Sequence, residues 1–70
     1  MIKSRIRVML AINEMNQKQL AEKAGIREPS ISALCKGTVK HIPVYALDSI
    51  CKVLHCQPGD LFEYIPDEEA

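Results

Sequence analysis

The segment "NQKQLAEKAGIREPSISALCKG", residues 16–37, decides the fold, because it places a single glycine between two short helical patterns. Asn16 is a good N-cap, and Gln19 can return a hydrogen bond to it as in a capping box. A helix is therefore predicted over about residues 17–24. Gly25 follows at the point where a left-handed residue ends a helix at little cost. The segment predicts two helices held at an angle by a tight turn.

The second of these helices has an apolar face and a polar or small face. Pro29 suits its first turn, because the missing N–H has no helical partner there, and Gly37 ends it after about two turns. At about 100° per residue, the inward residues are Ile31, Leu34 and Cys35. The outward residues are Pro29, Ser32, Ala33 and Lys36, with Ser30 at the edge of that face. A helix this short is unstable alone in water, so packing of its inner face must hold it in place. Its outer face is then free to meet a partner.

The flanking sequence predicts further helices and one compact core. A first helix is expected from about Ser4 to Glu14, with residues 1–3 either joining it or forming a short extended segment. Its apolar residues are Ile6, Met9 and Leu10, broadened by Val8, Ile12 and Met15. A fourth helix is expected from Pro43 to about His55, with Val44, Leu47, Ile50, Cys51 and Leu54 inward. Pro58 begins a fifth, short helix or turn that contains Leu61 and Phe62.

These elements predict one all-α domain over residues 1–70, a compact five-helix bundle around the central helix-turn-helix. Residues 4–66 form its core, residues 67–70 form an acidic tail, and a short terminal strand remains an option. Hydrophobic residues make up 47% of the chain and only three residues are aromatic, so the expected core is aliphatic.

The charges are unevenly distributed although the net charge is zero. Residues 1–40 hold eight Lys and Arg against three Asp and Glu, a balance of +5. Residues 41–70 hold one Lys against six Asp and Glu, a balance of −5. Such polarity favours a basic face for nucleic acid and an acidic face directed elsewhere. The alternative is an ordinary solvated surface with an acidic tail.

Several other classes of protein are not expected. No apolar run is long enough for a membrane span, and Lys3, Arg5 and Arg7 interrupt the apolar residues a signal peptide would need. A cytoplasmic location is expected. The three cysteines contain no CxxC pair, which argues against a disulfide framework.

Catalytic and metal sites are also not expected. Cys51 and His55 have metal-binding spacing on a predicted helix, but no fourth ligand is evident and Cys is commonly a packed apolar residue. Asp48 and His55 share a helix face without a nucleophile beside them. We therefore expect no enzyme activity, no metal and no cofactor. Cys35 is either a reactive thiol or, as its inward position favours, a packed and inert one.

Three stretches of the chain together resemble the Cro and phage-repressor type of helix-turn-helix regulators, the XRE-like family with the lambda-repressor-like fold. "NQKQLAEKAGI" resembles the family's entry into the motif, and "SISALCKG" resembles its recognition helix. "LDSICKVLHCQPGDLFEYIP" resembles the last two helices of its short members. The resemblance implies a five-helix fold that binds double-stranded DNA, commonly as a homodimer on a palindromic operator.

The resemblance also implies which residues meet DNA. The recognition helix spans about residues 28–36, and its contact positions correspond to Arg27, Glu28, Pro29, Ser30, Ser32 and Ala33. Phosphate-contact positions correspond to Gln17, Lys36, Thr38 and Lys40. Gln17 can instead simply start a helix, Arg27 can be a solvated residue or pair with Glu28, and Glu28 can serve as a cap. Family members that recognise bases strongly by direct hydrogen bonds often carry Gln, Arg or Asn on this helix. Here Pro29 and Ala33 take exposed positions and cannot make bidentate hydrogen bonds. Specificity is therefore expected either to depend on Arg27, Glu28 and DNA shape or to be modest.

The function expected is therefore that of a sequence-specific, DNA-binding transcriptional regulator. The alternative is a protein-interaction module, such as an antitoxin-like partner of another protein. Phe62, Tyr64 and Ile65 are the expected dimer interface, since they form an apolar segment near a chain end. This segment is either helical or a strand, which would pair with residues near Ile2 or with its symmetry mate. Alternatively, Phe62 and Ile65 close the monomer core.

Overall fold

The computed structural model describes residues 1–66 and has five helices and one small antiparallel sheet. In chain order the elements are β1 (Ile2–Ser4), α1 (Ile6–Ile12), α2 (Gln17–Ala24), α3 (Glu28–Lys36), α4 (Val44–Leu54), α5 (Pro58–Leu61) and β2 (Phe62–Tyr64). The predicted helical bundle with a central helix-turn-helix is confirmed. The expected acidic tail, residues 67–70, lies outside the described residues. Within residues 1–66, no helix has the length and apolarity needed to cross a membrane.

The turn between α2 and α3 forms as its sequence predicts. The backbone N–H of Gln19 donates to the Asn16 side chain at 2.8 Å, and the Asn16 N–H donates to the Gln19 side chain at 2.9 Å. Gly25 ends α2 in the left-handed region at φ 69°, and the N–H of Ile26 donates to the Ala21 carbonyl at 3.0 Å. These bonds satisfy backbone groups at both ends of α2, which fixes the direction in which α3 leaves.

The core is aliphatic and receives residues from every helix. Its buried members are Ile6, Leu10, Leu20, Ala21, Ile31, Leu34, Cys35, Ile50, Leu54 and Leu61. No polar or charged residue is buried among residues 1–66. The stabilisation is therefore hydrophobic, which suits a domain of this size that has little other means of holding its short helices.

Three apolar residues expected to face the core are exposed instead. Val8 and Ile12 are exposed. Helix α1 packs against the core through Ile6 and Leu10, and at 100° per residue Val8 and Ile12 lie on the opposite side of the helix. Val44 is 82% exposed. The inward row of α4 consists of Ala46, Ile50 and Leu54, while Leu47 and Cys51 are only partly buried at its side.

Helix α1 is shorter than predicted at both ends. Ser4 belongs to β1, and its hydroxyl oxygen accepts a hydrogen bond from the Ile6 N–H at 3.4 Å. At the other end, Glu14 is left-handed at φ 52°, and the Met15 N–H donates to the Leu10 carbonyl at 2.9 Å. These bonds close the helix after two turns.

The chain segment after α5 forms a strand that pairs within the same chain. Ile2, Lys3 and Ser4 of β1 lie opposite Tyr64, Glu63 and Phe62 of β2 respectively. Phe62 therefore begins a strand rather than belonging to the fifth helix, and it packs against the core. Of the alternatives left open by the sequence, the strand paired near Ile2 is the one observed.

Candidate nucleic-acid interface

The outer face of α3 is held rigidly by the residues on its inner face. Ile31, Leu34 and Cys35 are buried, and they fix the helix against α2. On the other side, Pro29 and Lys36 are exposed, while Ser32 and Ala33 are partly buried. The N–H of Thr38 donates to the Ala33 carbonyl at 3.1 Å, and Gly37 is left-handed at φ 75°, so α3 ends sharply. The inner face of this short helix is thus packed in the core and its outer face lies at the surface.

A groove of about 320 Å³ runs beside the amino-terminal half of α3. One wall includes Arg27, Pro29, Ser30 and Ala33, four of the residues expected to meet DNA. The other wall belongs to the chain between α3 and α4 and to the first turn of α4. It contains His41, Pro43 and Tyr45. The side chain of Tyr45 is exposed and carries a hydroxyl that can donate to a phosphate or base.

A second depression, at the carboxyl end of α3, is lined by positive charge. Lys3 of β1, Arg7 of α1 and Lys36 of α3 surround it, and we call these three residues the basic cluster. Arg7 lies near enough to the Cys35 thiol to oppose, electrostatically, the rise in its pKa that burial causes. The tertiary fold therefore gathers cations from β1, α1 and α3 itself at the carboxyl end of α3, as a phosphate-binding surface requires.

The remaining expected phosphate contacts lie around this face. Gln17 is partly buried as the first residue of α2, and Lys40 is exposed in the chain between α3 and α4. Thr38 is exposed as well, but its hydroxyl donates to the Ala33 carbonyl at 3.4 Å. That bond points the hydroxyl hydrogen toward the carboxyl end of α3 and not toward solvent. Glu28 is exposed in the first turn of α3, where a carboxylate is favourable to the helix dipole.

The thiol of Cys35 is packed beneath α3. Only 7% of the residue is exposed, and burial raises the pKa of its thiol. A buried, protonated thiol is a poor nucleophile, which agrees with the packing role that its inward position favoured. Among residues 1–66, no three His, Cys, Asp or Glu side chains converge to hold a metal ion.

Sequence patterns found the residues of α3 but not their neighbours in space. Lys3, Arg7, His41 and Tyr45 join the candidate interface only through tertiary contacts. The excess of positive charge in residues 1–40 was a signal for Lys3 and Arg7, though not for their position. For Tyr45, the signal was its place just after the helix-starting Pro43, on the first turn of a predicted helix.

Comparison with known proteins is consistent with this geometry. The model of the Cro/C1-type HTH DNA-binding domain matches residues 5–67. A Bacillus subtilis protein, the uncharacterized HTH-type transcriptional regulator YozG, is 45% identical over 65 residues. That alignment covers 93% of this chain and 77% of the relative.

Two solved structures are similar in fold. One is a candidate DNA-binding protein from Bacteroides fragilis, with a TM-score of 0.76 and 28% identity. The similarity covers 90% of this chain and all of the other. The second is the transcriptional regulator VanUg, with a TM-score of 0.74 and 24% identity, covering 94% of this chain and 87% of that one. At 24% identity, the second comparison speaks to the fold alone.

Proposed function

This chain belongs to the family of Cro/C1-type helix-turn-helix DNA-binding domains, whose members regulate transcription, and we propose that it binds specific operator sequences through α3. The observation that carries the proposal is the outer face of α3. That face lies at the surface of a helix whose inner face is packed in the core, and a donor-bearing groove and the basic cluster adjoin its two ends. A helix presented in this way fits the major groove of B-DNA, which is wide enough to admit it.

Base recognition is assigned to the amino-terminal end of α3. Arg27 is the residue there that can donate a bidentate pair of hydrogen bonds to guanine. Glu28 can accept from a cytosine amino group, while Ser30 and Ser32 can bond to several bases or to phosphate. Pro29 and Ala33 offer only apolar contact, as with a thymine methyl group. Specificity from so few polar side chains needs a contribution from DNA shape as well.

Phosphate binding is assigned to both sides of α3. Gln17 stands at the amino end of α2, where backbone N–H groups favour an anion. Lys36 and Lys40 are exposed cations, and the proposal adds Lys3 and Arg7 of the basic cluster to them. Thr38 is the weakest member of the set, because its hydroxyl already donates to Ala33. Together these cations supply the sequence-independent part of the affinity.

A homodimer on a palindromic operator is the proposed assembly. One recognition helix reads only a few base pairs, so two of them about 34 Å apart would read adjacent turns of the same DNA face. The exposed apolar side chains of the sheet support an interface there. Ile2 and Tyr64 are both largely exposed, and Ile65 is partly buried. Phe62 contributes less, because it packs against the core of its own chain.

A second candidate function is that of a partner for another protein. The exposed apolar residues Val44 and Tyr45 at the start of α4 favour it, since they belong to neither strand of the proposed dimer interface. Purification of the tagged protein from its native cell separates the two candidates. A stoichiometric protein partner that releases the chain from DNA would favour the interaction module.

The DNA-binding proposal is tested by fluorescence anisotropy with labelled duplexes, including the DNA upstream of the chain's own gene. We expect binding that weakens steeply with salt and that prefers some sequences by at least tenfold, or about 1.4 kcal/mol. Equal, weak affinity for all duplexes would contradict sequence-specific binding. No affinity at low salt would contradict DNA binding altogether.

A further inference from the structure

The carboxyl end of α4 brings two cysteines together. His55 is left-handed at φ 53°, and the N–H of Cys56 donates to the Cys51 carbonyl at 3.1 Å. In this type of helix ending, the side chains of the two hydrogen-bonded residues commonly touch. Here the Cys51 side chain lies near enough to the Cys56 thiol to contribute to the rise in its pKa. The local backbone therefore places two thiols side by side.

The same backbone bond brings the two residues within range of a disulfide. The bond joins the Cys51 carbonyl oxygen to the Cys56 nitrogen, so standard bond lengths limit the separation of the two Cα atoms to at most about 7 Å. Disulfides span Cα separations of about 4.4–6.8 Å. Bridging these cysteines thus calls for no large movement of the backbone.

Both thiols also face a surface that small molecules can reach. Cys51 and Cys56 are partly buried, and both line an open groove of about 470 Å³ between α4 and α5. The groove is bordered by Val44, Leu47 and Pro58, among other residues. The third cysteine, Cys35, is buried beneath α3 and lines a different depression. Access therefore distinguishes the pair from the remaining thiol.

We propose that Cys51 and Cys56 form a reversible intramolecular disulfide, with a low-molecular-weight disulfide as the oxidant. The Cys51 thiolate attacks one sulfur of the small disulfide, whose S–S bond breaks and releases one small thiolate. The Cys56 thiolate then attacks the Cys51 sulfur and releases the second small thiolate. Two protein thiols are oxidised, one small disulfide is reduced, and the two protons pass to the two released thiolates.

The surroundings of Cys56 set the order and the pH dependence of these steps. Burial raises the pKa of its thiol, and the Cys51 side chain and the Asp60 carboxylate of α5 raise it further. Asp48 and Lys52 of α4 line the same groove. Since the thiolate is the reactive form, closure by Cys56 should be slow at neutral pH and faster as pH rises. A thiol of raised pKa is also a poor leaving group, so reduction that releases the Cys56 thiolate should be slow.

Peptide mapping tests the proposal, because trypsin separates all three cysteines. Cleavage after Arg27, Lys36, Lys40 and Lys52 leaves Cys35, Cys51 and Cys56 on three different peptides. The reduced protein is incubated with oxidised glutathione, blocked with an alkylating agent at low pH, and digested without reduction. We expect the peptides of Cys51 and Cys56 to be linked, and that of Cys35 to be alkylated.

Two variants sharpen the result. Cys35→Ala should keep the linked peptides, whereas Cys56→Ser, which lacks the resolving thiol, should instead retain a glutathione adduct on Cys51. Circular dichroism of the reduced variants establishes that each is folded. The wild-type peptide map tests the proposal even if a variant does not fold. Glutathione adducts in the wild-type protein without a Cys51–Cys56 link, or a link that includes Cys35, would overturn the proposal.

Discussion

Ile2 lies directly opposite Tyr64 in the two-stranded sheet, and the two residues are 65% and 68% exposed. Directly paired residues project from the same face of a sheet, which is also the face of Ser4 and Phe62. Phe62 packs against the core, whereas the Ile2 and Tyr64 pair extends the same apolar face beyond it. The two ends of the described chain thus build one exposed apolar strip.

We expect this strip to hold the dimer together. The double variant Ile2→Asp with Tyr64→Asp places two like charges in it and should yield a folded monomer. Sedimentation at a range of concentrations should show a dimer dissociation constant at least tenfold higher than that of the wild type, and operator binding should weaken in parallel. Glu63→Gln, on the opposite face of β2, is the matched control and should remain dimeric. A double variant that still forms the wild-type dimer would remove the strip from the interface.

The capping box at the start of α2 should contribute measurably to stability. Asn16→Ala removes the acceptor for the Gln19 N–H and should lower the free energy of unfolding by about 1 kcal/mol. Gln19→Ala removes only the reciprocal bond and places a strong helix former in the first turn, so its loss should be smaller. Urea unfolding with an unchanged m-value measures both effects. Equal losses in the two variants would argue against this assignment.

The left-handed backbone at Gly25 should make that glycine hard to replace. Its φ is 69° and no heavy atom lies within 4 Å of the Cβ that alanine would add, so the cost is conformational. Gly25→Ala should destabilise the fold by about 1–2 kcal/mol. Gly59→Ala is the matched control, because Gly59 lies in α5 without a positive φ and has equally open surroundings. It should be neutral or stabilising by up to about 1 kcal/mol. Thermal unfolding compares the pair.

Lys40 and the basic cluster should act on DNA phosphates and not on bases. Lys40→Ala should weaken binding to all duplexes alike and reduce the slope of log affinity against log salt by about 0.9. Lys3→Ala should reduce the salt slope by a similar amount if β1 lies along the DNA backbone. Lys52→Ala, an exposed lysine of α4 outside the candidate interface, should leave the slope unchanged. A change of base preference on losing Lys40 would show that its assignment to phosphate is wrong.

The local parts of the fold were predictable from sequence because local bonds determine them. The bounds of α2 and α3 follow from Asn16 and Gln19, which form a capping box, and from Gly25 and Gly37, which tolerate positive φ. The sheet was harder to predict. Each strand has only three residues, and Ile2 finds its partner at Tyr64, far along the chain. A strand this short carries little pattern of its own, so only the tertiary fold selects its partner.

The surface on which the candidate interface lies was predictable in part. The helical-wheel projection of α3 predicts its outer face, because only one orientation of the helix buries both Ile31 and Leu34. The position of Lys3 and Arg7 beside Lys36 depends on how β1 and α1 pack, which no spacing along the chain records. The apolar character of Val44 alone predicts an inward position, but the buried row of α4 begins at Ala46.

Selection of bound duplexes from a random DNA library, with the wild type and with Arg27→Ala in parallel, tests the central claim most directly. The wild type should enrich a short two-fold symmetric motif. Arg27→Ala should lose preference at one position of each half-site, at a cost of about 1–3 kcal/mol. A wild-type pool that shows no enrichment over the starting library, or an Arg27→Ala pool with an identical motif, would contradict sequence reading by this end of α3.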